Sequence, residues 1–290
     1  MGLPLPLRRS GADGPLIGAT ELHERLGAPG VRVADVRWYL NKPGAGRAAY
    51  DAGHIPGAIS VDLDADLSDL SGVGAPGRHP LPAAAEFARR MGALGFGTDD
   101  FIVAYDDLGG AVAARLWWML DNLGHRGGTA VLDGGFQAWT TAGYGLTTEE
   151  TRQSAAEMAL ADGWARVAAR EQVAAGDGLV LLDARAPERF RGEVEPVDPV
   201  PGHIPGALNL PFSRNLAADG RLLDGAALVA LYAPLMKAGK TTVVSCGSGT
   251  NACLSALAMR VAGLPDPALY VGSYSDWTRS GMPVATGEEP

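Results

Sequence analysis

Short apolar runs recur along the chain, each bounded by Gly, Pro or Asp. Residues 31–36, 102–105, 179–182 and 243–245 are too short for helices and read as buried strands. Between them, residues 83–94, 111–123, 226–236 and 250–261 carry apolar positions at helical spacing. Strands that alternate with helices predict an α/β fold in which a mostly parallel sheet has helices on both faces.

The pattern occurs twice. An apolar run ending in Asp35-Val36-Arg37 is followed by Gly53-His54-Ile55-Pro56-Gly57-Ala58, and Asp183-Ala184-Arg185 is followed by Gly202-His203-Ile204-Pro205-Gly206-Ala207. Val103-Ala104-Tyr105-Asp106 pairs with Val243-Val244-Ser245-Cys246, and Gly134-Gly135-Phe136 up to Trp139 pairs with Gly272-Ser273-Tyr274 up to Trp277. Four landmarks in one order at a nearly constant offset indicate a tandem duplication. We therefore expect two like domains over residues 1–146 and 164–290. The polar, Ala-rich segment 147–163 is the expected linker.

Composition narrows the function. A length of 290 residues suits two domains, and 47% hydrophobic with 20% charged residues excludes a disordered chain. The formal charge of −9 provides no positive field for nucleic acid or an anionic membrane. An anionic small substrate would then depend on local dipoles and a few placed arginines. Residues 1–11 lack the basic-then-apolar order of a secretory signal, and no run reaches the ~18 apolar residues of a membrane span. The two cysteines, Cys246 and Cys253, form no disulfide framework, so a reducing cytoplasm is the expected compartment.

Ligands of open α/β sheets bind beyond the carboxyl ends of the strands, and Cys246 falls at such an end. The loop Cys246-Gly247-Ser248-Gly249-Thr250-Asn251 precedes a helix, and its glycines allow successive backbone N–H groups to turn inward as an anion-binding cradle. A cysteine at its centre is expected to act as a thiolate nucleophile. Gly247, Gly249, Thr250 and Asn251 would then hold an anion or a bound outer sulfur. A phosphatase needs an arginine six residues beyond such a cysteine, and Ala252 stands there. Cys253 falls inside the helix and reads as inert filling. His54 and His203, the pairs Asp35/Arg37 and Asp183/Arg185, and Trp139 and Trp277 recur in both copies, which points to structural roles. Trp117 and Trp118 suit either an interface or a core.

These motifs together resemble the tandem rhodanese-domain sulfurtransferases over nearly the whole chain, and most closely their actinobacterial members. The resemblance implies sulfane-sulfur transfer from thiosulfate or 3-mercaptopyruvate, through a Cys246 persulfide, to cyanide or an acceptor thiol such as a thioredoxin-like protein. No metal or organic cofactor is implied. The N-terminal copy, with Asp106 at the cysteine position, is expected to be silent. By the same resemblance Arg189 binds the donor's carboxylate or sulfonate, and Ser248 with His79 and Asp64 polarises mercaptopyruvate. The loop is similar to that of mercaptopyruvate enzymes, yet the second arginine usual in that branch is missing from residues 193–198. A non-catalytic sulfur carrier or redox-sensing module acting with a protein partner is the alternative.

Overall fold

The computed structural model describes residues 14–72 and 77–289, so the reading of residues 1–11 lies outside the described residues. Strands β1 (Leu16–Ile17), β2 (Val31–Asp35), β3 (Ala58–Ser60), β4 (Phe101–Tyr105) and β5 (Thr129–Leu132) form one sheet in the order β1-β5-β4-β2-β3. Strands β6 (Leu179–Asp183), β7 (Leu208–Asn209), β8 (Thr241–Ser245) and β9 (Ala268–Leu269) form a second sheet in the order β7-β6-β8-β9. Both sheets are parallel throughout, with helices on both faces. The counterpart of β1 in the second sheet is reduced to a single parallel bridge from Val167 to Leu269. The four apolar runs became β2, β4, β6 and β8, four of the five inner strands; the fifth, β5, lies between β1 and β4 and was not among the runs. The edge strands β1, β7 and β9 have only two residues each, too few to carry a periodic signal.

Three of the four expected helices occupy Ala84–Ala93, Ala113–Asn122 and Ala252–Val261. The fourth splits into helix Gly225–Tyr232 and a 3-10 turn Ala233–Leu235, because Pro234 has no N–H to continue the ladder. The Ala252–Val261 helix starts two residues later than expected, since Thr250 and Asn251 are taken up by the loop before it.

Register explains where the chemistry emerges. Asp35 pairs with Tyr105 and Asp183 with Ser245, so Asp106 and Cys246 both leave the carboxyl end of a central strand. The aspartates at those ends anchor the repeated turns. Arg37 grips Asp35 at 2.5 Å and donates to Gly53 O at 2.9 Å, while Arg185 grips Asp183 at 2.7 Å and donates to Gly202 O at 2.8 Å. His54 Nδ1 bonds Tyr50 O at 2.8 Å and its ring stacks on Tyr50, as His203 does with Phe190 at 2.7 Å. These recurring groups are structural in both copies, as their symmetry suggested. Trp139 and Trp277 are buried and donate to Gly145 O and Pro283 O.

The helices that follow the two loops, Ala113–Asn122 and Ala252–Val261, pack against each other across the domain boundary. Their apolar faces, including Leu116, Leu120, Leu254 and Leu257, belong to one continuous core. Trp117 takes part in this interface, with the Arg260 guanidinium 5.5 Å above its ring, whereas Trp118 stacks on Trp164 at 6.0 Å. Residues 147–163 run along the first domain. The N–H of Ala156 donates to Gly92 O, that of Ala161 to Leu123 O, and Met158 is buried. Among the described residues no helix is long and apolar enough to cross a membrane.

Asp106 shows what the loop at a strand end does in this fold. Its carboxylate is fully buried and accepts the backbone N–H groups of Leu108, Gly110, Val112 and Ala113 at 2.7–2.8 Å. Burial pushes its carboxyl above the usual range, and the four amides pull it back. Replacing Asp106 with Ala should leave those donors without an acceptor and cost about 3 kcal/mol or more of stability. Chemical denaturation of the variant measures this.

Candidate active site

The second domain repeats the loop with a sulfur in place of the carboxylate. Cys246 is only 4% exposed. Three carbonyls of its loop are taken up by hydrogen bonds. Cys246 O accepts from Tyr274 N–H and Gly247 O from Ser275 N–H, both at 3.0 Å, and Gly249 O accepts from Arg115 Nη1 at 3.3 Å. Gly247, Ser248, Gly249 and Thr250 donate no backbone hydrogen bond among the described residues, so these N–H groups remain available to an anion. Gly249 has φ +75°, and a Cβ added there would lie 2.4 Å from Val271 O, so the turn requires glycine.

Ser273 holds the Cys246 loop and was missed by sequence reasoning. Its φ of 51° is unusual for a residue with a side chain. Its Oγ accepts from Cys246 N–H at 3.1 Å and donates to Tyr270 O at 2.8 Å, fixing the start of the loop. The signal lay in the repeat: Gly135 occupies the same place in the first copy, also at positive φ.

The first domain supplies a polar chain that ends on the loop. Ser248 Oγ lies 2.8 Å from His79 Nδ1, and His79 Nε2 lies 3.2 Å from Asp64 Oδ1. Trp38 Nε1 donates to Asp64 Oδ2 at 3.0 Å, and its ring meets His79 edge-on at 5.2 Å. With Asp64 accepting from Nε2–H, Nδ1 is left to accept the Ser248 hydroxyl proton. Burial pushes the His79 ring below its ordinary range despite Asp64, so it is held neutral. The His79 hydrogen bond holds the Asp64 carboxyl below its usual range. Thr250 Oγ1 also approaches His79 Nδ1, at 3.4 Å. The structure thus brings Ser248, His79, Asp64 and Thr250 together across the two domains. Asn251 stands at the start of the following helix without a side-chain capping bond, and it takes no part in this chain.

Arginines complete the surroundings. Arg189 Nη2 pairs with Glu195 at 2.6 Å and lies 3.4 Å from Asp198. Arg78, from the first domain, pairs with the other Asp198 oxygen. A Cβ built on Gly247 would lie 2.7 Å from Arg78 Nη2 and 3.7 Å from both terminal nitrogens of Arg189, so two guanidinium groups flank the residue after Cys246. The stretch 193–198, where a second arginine is missing, instead contributes the acids that hold these two. Arg78 was not singled out from sequence, although it adjoins His79. A cleft of about 670 Å³, lined by Trp38, Asp64, Arg78 and His79 among others, opens beside this cluster. Among the described residues no group of His, Cys, Asp and Glu side chains is arranged to hold a metal ion.

The cysteine at the end of a central parallel strand, the loop wound around it and the duplicated plan define the class. The rhodanese-like domain model matches residues 18–142 and 167–280, and the chain belongs to the rhodanese family of sulfurtransferases. It is 45% identical over 284 residues to a Pseudomonas aeruginosa protein provisionally named 3-mercaptopyruvate sulfurtransferase, covering 94% of this chain and 98% of that one. It is 42% identical over 270 residues to a Mycobacterium tuberculosis protein provisionally named thiosulfate sulfurtransferase SseB, covering 91% and 93%. Among solved structures, the 3-mercaptopyruvate sulfurtransferase from Leishmania major superposes with a TM-score of 0.81 at 31% identity, over 92% of this chain and 75% of that one.

Replacing Gly249 with Ala should force the loop open against the Val271 carbonyl. We expect a stability loss of about 1–3 kcal/mol and collapse of sulfur transfer, read from thermal melting and turnover of the same preparation.

Proposed function

We propose that this chain takes sulfur from 3-mercaptopyruvate in preference to thiosulfate, holds it as the sulfane sulfur of a Cys246 persulfide, and passes it to cyanide or an acceptor thiol. The Ser248–His79–Asp64 chain at 2.8 and 3.2 Å carries this reading, because mercaptopyruvate needs a proton moved and thiosulfate does not. The Cys246 thiolate attacks the donor sulfur. The carbon–sulfur bond breaks with its electron pair passing to the pyruvate carbon as an enolate, and the proton of the donor thiol is delivered to that carbon. Ser248 and neutral His79 suit this transfer, with Asp64 and Trp38 as positioning residues. With thiosulfate the sulfur–sulfur bond breaks and sulfite leaves with the pair, so no proton moves. Cyanide then attacks the outer sulfur, and the thiolate returns.

Arg189 and Arg78 bind the donor's anionic end in this account, one from each domain, so Arg78 takes the place of the missing second arginine. The N–H groups of the loop stabilise the persulfide anion. The first domain transfers no sulfur itself, since its cradle is filled by Asp106, but it provides Asp64, His79 and Arg78. Acceptor thiols of a thioredoxin-like partner fit the second half-reaction.

Steady-state assays with both donors and cyanide test the reading. His79→Asn should lower kcat with mercaptopyruvate by about 100-fold and change thiosulfate turnover several-fold less; equal losses would remove the relay. Since His79 is held below its ordinary value of 6.5, its proton-accepting form persists on acidification. Mercaptopyruvate turnover should therefore hold through pH 6.5 and fall only below it, with no such limb for thiosulfate. For Arg189→Ala and Arg78→Ala we expect KM to rise about tenfold for either donor, and an unchanged KM would cancel the assigned role.

A further inference from the structure

Asp198 stands where the two domains' arginines meet. Its carboxylate is buried; Oδ1 accepts from Arg78 Nη1 of the first domain, and Oδ2 lies 3.4 Å from Arg189 Nη2 of the second. Among the described residues no other hydrogen bond reaches this carboxylate, whereas Glu195 also accepts the N–H groups of Val197 and Asp198, each at 3.0 Å. Burial pushes the Asp198 carboxyl up from its ordinary value, and Arg78 pulls it back. Arg78 Nη2 and Arg189 Nη1 make no hydrogen bond among the described residues, and a Cβ built on Gly247 would lie 2.7 and 3.7 Å from them. The Arg78 and Arg189 side chains are 16% and 18% exposed, against 1% for Asp198. An anion at Gly247 therefore meets one unused guanidinium nitrogen from each domain, while Asp198 stays bound to the same two cations through their other nitrogens.

The two donors differ in charge: mercaptopyruvate carries one negative charge, at its carboxylate, and thiosulfate carries two. The fixed charges of the site are the same for both. Removing one fixed negative charge therefore favours a dianion by twice the free energy by which it favours a monoanion. Three acids lie near. Glu195 pairs with Arg189 and Arg185, Asp64 pairs with His79, and Asp198 is the one shared by Arg78 and Arg189. We propose that Asp198 is a specificity-determining residue, which aligns Arg78 and Arg189 toward Gly247 and penalises a dianionic donor twice as heavily as a monoanionic one. It thereby favours mercaptopyruvate over thiosulfate by repulsion as well as by fit. The assignment rests on the sulfur-transfer reading, but its test uses anions that carry no transferable sulfur, so the two fail separately.

The test is the protection of Cys246 from iodoacetamide by sulfate and by methanesulfonate, in the full chain at pH 8 and constant ionic strength. The two anions have similar shapes and differ by one charge. Asp198→Asn should tighten methanesulfonate about threefold and sulfate about tenfold, the square of the same factor. Asp198→Glu, which keeps the charge, should hold the parent's ratio of the two affinities within about twofold. In turnover, the ratio of kcat/KM for mercaptopyruvate to that for thiosulfate should fall about threefold in Asp198→Asn. Equal changes for the two anions, or no change, would overturn the proposal. Absence of protection by either anion in parent and variant would overturn it together with the arginine site. Charge-graded tightening in a chain that transferred no sulfur would support it and count against the transfer reading alone. Should Asp198→Asn not fold, the same substitution is made in Arg78→Ala, which removes the cation left unpaired, and compared with Arg78→Ala alone. The same grading between the anions is expected there, and its absence would overturn the proposal.

Discussion

A buried ring of backbone N–H groups at the end of a parallel strand demands an anion, and both halves of this molecule are organised around that demand. In the first half, the Asp106 carboxylate meets it permanently with four hydrogen bonds. In the second, loop carbonyls are taken up by Tyr274, Ser275 and Arg115, and the N–H groups of Gly247, Ser248, Gly249 and Thr250, which follow a cysteine, donate no backbone hydrogen bond among the described residues. At the end of the central strand the two copies differ by one residue, a buried carboxylate in the first and a thiol in the second. The strained Ser273 and the glycine at Gly249 are the backbone cost of holding that geometry.

The halves are not independent modules. Their loops lead into helices that share one apolar core, so each loop is placed relative to the other by close packing and not by a tether. This packing lets a domain without a cysteine deliver His79, Arg78 and Arg115 to the Cys246 loop of its twin. The electrostatics then divide into layers. Arg78 and Arg189 stand at Gly247, each paired with carboxylates that fix its orientation and balance its charge. Arg115 lies deeper and lacks such a partner among the described residues.

Much of this could be read from the chain alone. Four of the five inner strands, the duplication and the Cys246 loop were legible because buried parallel strands are short continuous apolar runs and because the repeat shows each landmark twice. Symmetry also separated structure from chemistry, marking Asp35/Arg37 and His54 as scaffold and Asp106/Cys246 as the point of divergence. The resemblance to a known family added Ser248, His79 and Asp64. What stayed hidden were the contacts between the copies. Arg115 sits in an apolar helix and Arg78 in a turn, and nothing in their neighbours reveals that both end at one loop. The two-residue edge strands and the break at Pro234 were lost because pairing partners and a missing N–H, not periodicity, decide them.

The central claim is that sulfur is carried on Cys246. Intact-mass and peptide mapping after exposure to donor alone, with no acceptor present, address it directly for the parent, Cys246→Ser and Cys253→Ser. The account predicts one added sulfur atom on the Cys246 peptide in the parent and in Cys253→Ser, and none in Cys246→Ser. Sulfur found on Cys253, or no added sulfur with either mercaptopyruvate or thiosulfate, would contradict it.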